Sequence, residues 1–235
     1  MAMTDLSPTI DTILADIYSD FGGVNIEELA EDTTAGISIN TSATSMVQYW
    51  TNTLNVAVQY GTIYFEFNTS GVTSTPETAI LKIFVESINN GGKDFYACRG
   101  FLASDGAMAA GDLPAYTRDA SGATPDVGDI TKYSSKIDCS ELTAGAVNEI
   151  TLNATAIADM VSKDRFVVVL VNEHLADQSL GGDTTSRGFT MSSQDHSTSG
   201  QRPILSYTEP TTGVSTTLKL KNKTTRIIGG RFVIK

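Results

Sequence analysis

The sequence predicts a mainly β protein: an antiparallel β-sandwich that starts with one amphipathic helix and ends with a β-hairpin extension. Thr and Ser supply 53 of the 235 residues, and β-branched Thr is typical of strands. Short apolar segments with a period of two recur between glycine-containing turns, as in strands that bury one face. No apolar run reaches the roughly 18 residues that span a bilayer, so we expect no membrane partner.

The first predicted element is an amphipathic helix from Ser7 to Gly22. Ser7 is a suitable N-cap, and Pro8 takes the first helical position. A short helical turn is expected at residues 26–30. The apolar stripe packs either on the chain's own sandwich or in a groove of another subunit. The stripe consists of Ile10, Ile13, Leu14, Ile17, Tyr18 and Phe21.

The sandwich body is predicted for residues 36–208, after an acidic helical arm at residues 1–35. Alternating apolar residues predict half-buried strands at Ile37–Ile39, Leu54–Tyr60 and Ile63–Phe67. Nearly continuous apolar runs at Ile80–Val85 and Phe166–Val171 predict strands covered on both faces, and the second is our choice for a central strand. Residues 102–135 show little periodicity and are predicted to form the main surface loop.

Residues 209–235 are predicted to form a basic C-terminal arm. Thr225–Ile228 and Arg231–Ile234 flank Gly229 and Gly230, the pattern of a two-residue hairpin turn, and Leu218–Lys221 alternates before them. Residues 211–235 contain six Lys and Arg residues and no acidic residue, whereas no Lys or Arg precedes Lys82. The opposite charges indicate either solvated tails or attraction between copies or toward a partner.

Catalysis, cofactors and nucleic acid have no support in the sequence. Ser192, Ser193, Asp195 and His196 lie in one short run, but adjacent residues point in different directions, so we predict a polar turn. Asp–Gly loops suit Ca²⁺ yet lack the EF-hand spacing, and we predict ordinary turns there. The net charge of −11 argues against binding of nucleic acid by the body. We therefore predict a protein that is not an enzyme.

The two cysteines, Cys98 and Cys139, are predicted to be reduced, half-buried thiols, with a disulfide as the alternative. This expectation follows from the N-terminus, because residues 1–5 lack the basic and apolar stretches of a signal peptide. We accordingly expect synthesis in a cytoplasm without Sec-type export.

The order of the body segments resembles a known family. Gly61–Asn68 followed by Glu77–Val85 is similar to the paired opening strands of DNRLRE-type jelly-roll domains, and Arg202–Tyr207 resembles their terminal Arg-Pro strand. The likeness covers residues 61–208 and implies a jelly-roll-like sandwich without catalytic residues. Such domains occur in secreted bacterial surface and polysaccharide-associated proteins, and jelly rolls of this shape recur in phage virions. The missing signal peptide departs from the secreted pattern.

These observations predict a non-enzymatic virion structural protein, an accessory component of a phage capsid, neck or tail. Its partners would be other virion proteins and copies of itself. The alternative is a carbohydrate-binding module that contacts a host glycan through Trp50, Tyr116 or Tyr133. The predicted interface comprises the helical stripe and the C-terminal residues Leu218, Leu220, Arg226, Ile228, Arg231, Phe232 and Ile234.

Overall fold

The computed structural model describes residues 3–18, 38–40, 44–51, 58–100, 130–177, 187–210, 219–220, 223–228 and 231–234. The strands are β1 Met3–Leu6, β2 Ile10–Tyr18, β3 Ser38–Asn40, β4 Thr44–Thr51, β5 Val58–Asn68, β6 Thr78–Asn89, β7 Phe95–Arg99, β8 Ala146–Thr151, β9 Arg165–Asn172, β10 Arg187–Ser192, β11 Ile204–Thr208, β12 Lys219–Leu220, β13 Lys223–Ile228 and β14 Arg231–Ile234. The described part also contains the α-helices α1 Ala154–Ser162 and α2 Glu173–Ala176, and 3₁₀ turns at Cys139–Glu141 and Ser199–Gln201. The predicted class is confirmed at this level: the protein is mainly β, and all its described strand pairs are antiparallel.

Eleven of the described strands form one continuous hydrogen-bonded sheet that closes into a sandwich. The main path runs β1-β11-β6-β10-β4-β5-β2-β3, while β8 pairs with β6, and β9 pairs with both β5 and β7. The strand β4 links the two layers, because it pairs with β10 along residues 44–49 and with β5 along residues 49–51. Distant parts of the chain therefore meet throughout the body.

The core lies between the layers and is built from alternate residues of the paired strands. On β5, Ile63, Phe65 and Phe67 are fully buried, and they meet the buried face of β6 and β9 in one apolar cluster. The predicted central strand is confirmed, since Phe166–Asn172 are buried without interruption and β9 has a neighbour on each side. The run Ile80–Val85 behaves differently, because its residues alternate between buried and half-buried.

The helix predicted for Ser7–Gly22 is not observed; Ile10–Tyr18 form the strand β2 instead. This strand pairs with β5 over nine consecutive residues, from Ile10 opposite Glu66 to Tyr18 opposite Val58. The helical spacing of the apolar residues does not exclude a strand, and Ile and Thr favour extended backbone. Pairing with a central strand therefore overrides the local pattern. The helical turn predicted at residues 26–30 lies outside the described residues.

Two predicted strands merge into one. The segments predicted at Leu54–Tyr60 and Ile63–Phe67 join from Val58 onward as the single strand β5, because Gly61 continues the ladder opposite Ala15. The segment predicted at Ile37–Ile39 corresponds to β3, and the helix α1 at Ala154–Ser162 follows β8. Asn153 caps that helix, since its side-chain oxygen accepts hydrogen bonds from the backbone N–H groups of Thr155 and Ala156 at 3.0 and 3.1 Å.

The C-terminal strands form a second, three-stranded sheet in the order β12-β13-β14. Ile228 lies opposite Arg231, so β13 and β14 pair as the two strands of the predicted hairpin. No helix in the described ranges is long and apolar enough to cross a membrane.

Candidate interaction surfaces

The first surface is the N-terminal corner, where the start of the chain is fixed to both layers of the sandwich. The strand β1 pairs with β11 from Met3 opposite Thr208 to Leu6 opposite Leu205, and Ser206 donates a hydrogen bond to Asp5 at 2.5 Å. Its side chains stay largely exposed. Backbone pairing rather than apolar burial therefore holds this strand at the sheet edge.

A buried carboxylate anchors the next three residues to the opposite layer. Pro8 is buried, and Thr9 donates its backbone N–H to the carbonyl oxygen of Glu66 at 2.7 Å and its hydroxyl to the Glu66 carboxylate at 3.1 Å. Arg165 donates to the same carboxylate through Nε at 3.0 Å and Nη2 at 2.5 Å. Such a two-point arginine contact is strong and directional. Residues 3–9 thus connect the two layers.

The predicted N-terminal interface residues lie on this integrated segment rather than on a separate arm. Ile10, Ile13, Leu14, Ile17 and Tyr18 occupy β2, whose backbone pairs with β5 and, at residues 13–15, with β3. Phe21 lies outside the described residues. Contact of this stripe with another subunit remains a prediction, whereas the predicted helix is wrong at Ile10–Tyr18, which form a strand of the sandwich.

The second surface is the C-terminal sheet, which contains most of the predicted C-terminal interface residues. Leu220 lies on β12, Arg226 and Ile228 on β13, and Arg231, Phe232 and Ile234 on β14, whereas Leu218 is outside the described residues. The sheet also differs from the body in the sign of its charge. Six of the 16 basic residues follow Thr211, and all 27 acidic residues precede it. Residues 1–210 hold ten basic against 27 acidic residues, a formal net charge of −17.

The third surface is the base of the predicted long loop. The backbone N–H of Arg99 donates to the carbonyl of Thr131 at 2.8 Å, and isolated bridges join Cys98 to Lys132 and Phe95 to Ile137. The last part of the predicted loop, residues 130–135, therefore runs along the open side of β7. The ends of the stretch 101–129 are consequently held side by side.

A half-buried ionic network reinforces this base. Asp159 on α1 accepts a hydrogen bond from Arg99 Nε at 2.8 Å and from the Tyr133 hydroxyl at 2.5 Å, and Lys163 Nζ lies 3.4 Å away. Burial acts to raise the pKa of Asp159, but the Tyr133 hydrogen bond and the charges of Lys163 and Arg99 together lower it below its ordinary value. The carboxylate is thus the charged centre that joins α1 to β7.

A second group of ion pairs covers the outer side of the same base. Lys132 contacts Asp177 and lies 4.1 Å from the centroid of the Tyr96 ring, while the Tyr96 hydroxyl donates to Asp177 at 3.0 Å. Lys136 pairs with Glu173 at 3.2 Å. These ion pairs connect the segment 132–136 to the segment 173–177.

The three predicted glycan contacts are not brought together among the described residues. Tyr133 is only 1% exposed, and its ring stacks on Phe166 at a centroid distance of 5.3 Å. That ring is a core element and is not accessible to a sugar. Trp50 lies on β4, and Tyr116 lies outside the described residues.

The run from Ser192 to His196 forms a polar turn, as predicted. The Ser192 hydroxyl donates to Glu86 at 2.9 Å, whereas His196 Nδ1 accepts the backbone N–H of Thr198 at 3.2 Å. His196 donates its own backbone N–H to the Ser193 carbonyl. The Ser and His side chains therefore bond to different partners. Within the described ranges, no group of three or more His, Cys, Asp or Glu residues is arranged to hold a metal ion.

Both cysteines are free thiols, as predicted, and both are more deeply buried than expected. Burial raises the pKa of Cys98 to about 12 and that of Cys139 to about 11. Cys139 packs closely on Gly92, because a Cβ atom added to that glycine would lie 2.0 Å from the Cys139 sulfur. The two thiols are core side chains of low reactivity.

The comparisons with known proteins assign no family: no protein-family model matches the chain, and no curated protein matches its sequence. The resemblance to DNRLRE-type domains therefore stays a prediction.

Proposed function

We propose that this chain is a non-enzymatic structural subunit of a multi-subunit particle and that its C-terminal sheet joins it to its neighbours. The observation that carries the proposal is the separation of β12–β14 from the sandwich: in the described part, these strands pair only with one another. A small isolated sheet is marginally stable in water. Packing of this sheet against a neighbouring subunit would supply the burial that it lacks alone.

The charge distribution supports contact between like subunits. The formal charge of −17 on residues 1–210 is opposite in sign to that of the six basic residues in the C-terminal segment, and such complementarity between surfaces increases association rates and fixes orientation. A contact between different surfaces of identical subunits generates rings or filaments. Rings and filaments of this kind occur in virion necks and tails, and the particle that we propose is a virion assembled in the host cytoplasm.

The test is the assembly state of the full-length chain, measured by sedimentation velocity and by electron microscopy. Lys219→Glu, Arg226→Glu and Arg231→Glu together reverse the charge of the C-terminal sheet. We expect this variant to stay monomeric at concentrations where the unmodified chain associates. The matched control is Lys219→Arg, Arg226→Lys and Arg231→Lys, which keeps every charge and should associate normally. Equal association of the reversed variant and the unmodified chain would refute the proposal.

A glycan-binding role gains no support from the described residues. It loses one of its three predicted contacts, since Tyr133 is buried in the core. The assembly role is therefore the single function that we propose.

A further inference from the structure

Among the described residues, the strand β1 has one unpaired edge, and it carries an acidic residue and no basic one. This strand lies at the end of the strand order and, in the described part of the chain, pairs with β11 alone. An unpaired edge offers a row of backbone donors and acceptors to another strand. The edge of β7, in contrast, is covered by the bridges to Lys132 and Ile137.

Three carboxylates lie at the corner where β1, β11 and the start of β6 pair, with Glu77 across β11 from β1. Asp5 lies on β1 itself, Glu77 donates its backbone N–H to the Thr208 carbonyl at 2.8 Å, and Glu209 directly follows β11. All three residues are exposed. The segments that build this corner, residues 3–9, 70–79 and 206–210, contain no Lys or Arg. The edge of β8 differs, because Glu149 there lies 3.9 Å from Lys82.

The C-terminal sheet presents a complementary edge. The strand β14 has four residues, as β1 does, and within the described part it pairs with β13 alone. It begins with Arg231, and Lys235 follows its last residue. Arg226 lies on the adjacent strand, opposite Val233. A basic strand edge and an acidic strand edge of equal length therefore occur on the same chain.

We propose that β14 of one copy adds to β1 of a second copy by antiparallel strand pairing, so that the small sheet of one subunit extends the large sheet of the next. This inference rests on the proposed function and names the surface that receives the C-terminal sheet. The occupant is a second copy because, within one chain, β1 and β14 belong to separate sheets. Backbone hydrogen bonds would supply affinity, and the opposite charges would select the edge.

This contact is head-to-tail, because the donor edge and the acceptor edge are different surfaces. Each subunit gives β14 to one neighbour and receives β14 from another, which leads to a ring when the rotation closes and to a filament when it does not. The acceptor corner is also the point at which the chain leaves the body, since Glu209 and Pro210 directly follow β11. Both halves of the contact consequently start from one end of the sandwich.

The decisive experiment measures self-association of the full-length chain after charge reversal at each edge. Glu77→Lys with Glu209→Lys reverses the acceptor corner, and we expect it to weaken self-association by about tenfold or more, as like charges oppose at the contact. Glu141→Lys with Asp195→Lys is the matched control, because it makes the same charge change at exposed sites elsewhere on the body. The control should associate within about twofold of the unmodified chain.

A complementary mixture separates this inference from the proposed function. Chains with the reversed acceptor corner should recover association when mixed with chains in which Arg226→Glu and Arg231→Glu reverse the donor edge. If the donor reversal abolishes association but the acceptor reversal behaves like its control, β1 is not the docking site and the proposed function stands. If the donor reversal has no effect, both the function and this inference are wrong.

A cross-linking experiment tests the contact without relying on charge. Thr4→Cys in one chain and Val233→Cys in another should form a mixed disulfide on mild oxidation, because both positions lie inside the proposed strand pair. The native thiols do not interfere, since Cys98 and Cys139 are buried. Ser140→Cys paired with Val233→Cys is the control, placed at an exposed 3₁₀ turn. Equal cross-linking of the two pairs would overturn the assignment.

Discussion

The two ends of the chain both form strands but take different places in the fold. Each combines apolar and polar residues in a short segment beyond the main run of body strands. Residues 3–18 enter the sandwich as β1 and β2, whereas residues 219–234 form a sheet of their own. The difference shows that the place of a strand-forming segment in the fold depends on which strand edge it can pair with. The N-terminal segment finds β5 and β11, and the C-terminal segment pairs with itself.

The largest expected effect comes from removing each end in turn. Deleting residues 1–24 should abolish cooperative folding, because the deletion removes the nine-residue pairing of β2 with β5 and the Thr9 contact to Glu66. Deleting residues 212–235 should change the melting temperature by less than about 2 °C, as expected when few contacts to the body are lost. Circular dichroism melts of both variants measure this. A cooperative melt of the first variant near that of the full chain would contradict the strand assignment.

A matched pair of Phe substitutions sharpens the same contrast. Phe65 is fully buried in the core, so Phe65→Ala should lower the free energy of unfolding of the body by about 3–5 kcal/mol. Phe232→Ala on β14 should leave it within about 0.5 kcal/mol, since it lies in the other sheet. Urea unfolding followed by the body's tyrosine fluorescence gives both values. A large loss for Phe232→Ala would mean that the two sheets unfold as one unit.

Loss of the Glu66 carboxylate, which binds Thr9 and Arg165, should lower the free energy of unfolding by a smaller amount. Glu66→Gln removes the charge that binds Arg165 and should lower the free energy of unfolding by about 2 kcal/mol, because Arg165 loses a mostly buried partner. Amide hydrogen exchange should increase first in residues 3–18. Glu77→Gln, at an exposed position, is the control and should cost less than about 0.5 kcal/mol. Unchanged exchange in the N-terminal strands would show that the Glu66 contact does not hold them.

The smallest expected effect is the pH dependence at the loop base. The pKa of Asp159 is lower in the folded protein than its ordinary value, so its contribution is complete above an unfolded pKa of about 3.9 and is lost as the pH falls through the folded pKa. The stability difference between the unmodified chain and Asp159→Asn should be constant above about pH 5 and narrow toward pH 2. Asp195→Asn, at an exposed turn, controls for the loss of one charge. A constant difference at all pH values would contradict the network.

The strands of the core could be predicted from the sequence because their buried positions require apolar residues, either at every second position or in an unbroken run. Phe166–Val171 reads as a covered strand, and Ile63, Phe65 and Phe67 mark the inner face of β5. The N-terminal strand could not be predicted, since the spacing of Ile10, Ile13 and Leu14 fits one helix face as well as a strand. Only the register with β5 decides between them.

The contacts at the base of the long loop also could not be predicted from the sequence. Its centre joins Arg99, Tyr133 and Asp159, which are separated by tens of residues and give no local pattern. Tyr133 illustrates the difficulty: inside an aperiodic stretch it reads as an exposed aromatic, yet its hydroxyl bonds a buried carboxylate and its ring lies in the core. One signal in the sequence was the apolar run that ends near Asn172. A strand buried on both faces needs other segments packed over it, and part of the aperiodic stretch could supply them.

The pairing of β1 with β11 has a consequence for the order of events during synthesis. Met3 lies opposite Thr208, so the large sheet cannot be completed until nearly the whole body has left the ribosome. Contacts between residues so far apart in sequence make folding slow. The basic strands are translated after the final strand of the body. The strands proposed to join neighbouring subunits are therefore made only after β11, the strand that completes the large sheet. This order limits premature association of unfinished chains.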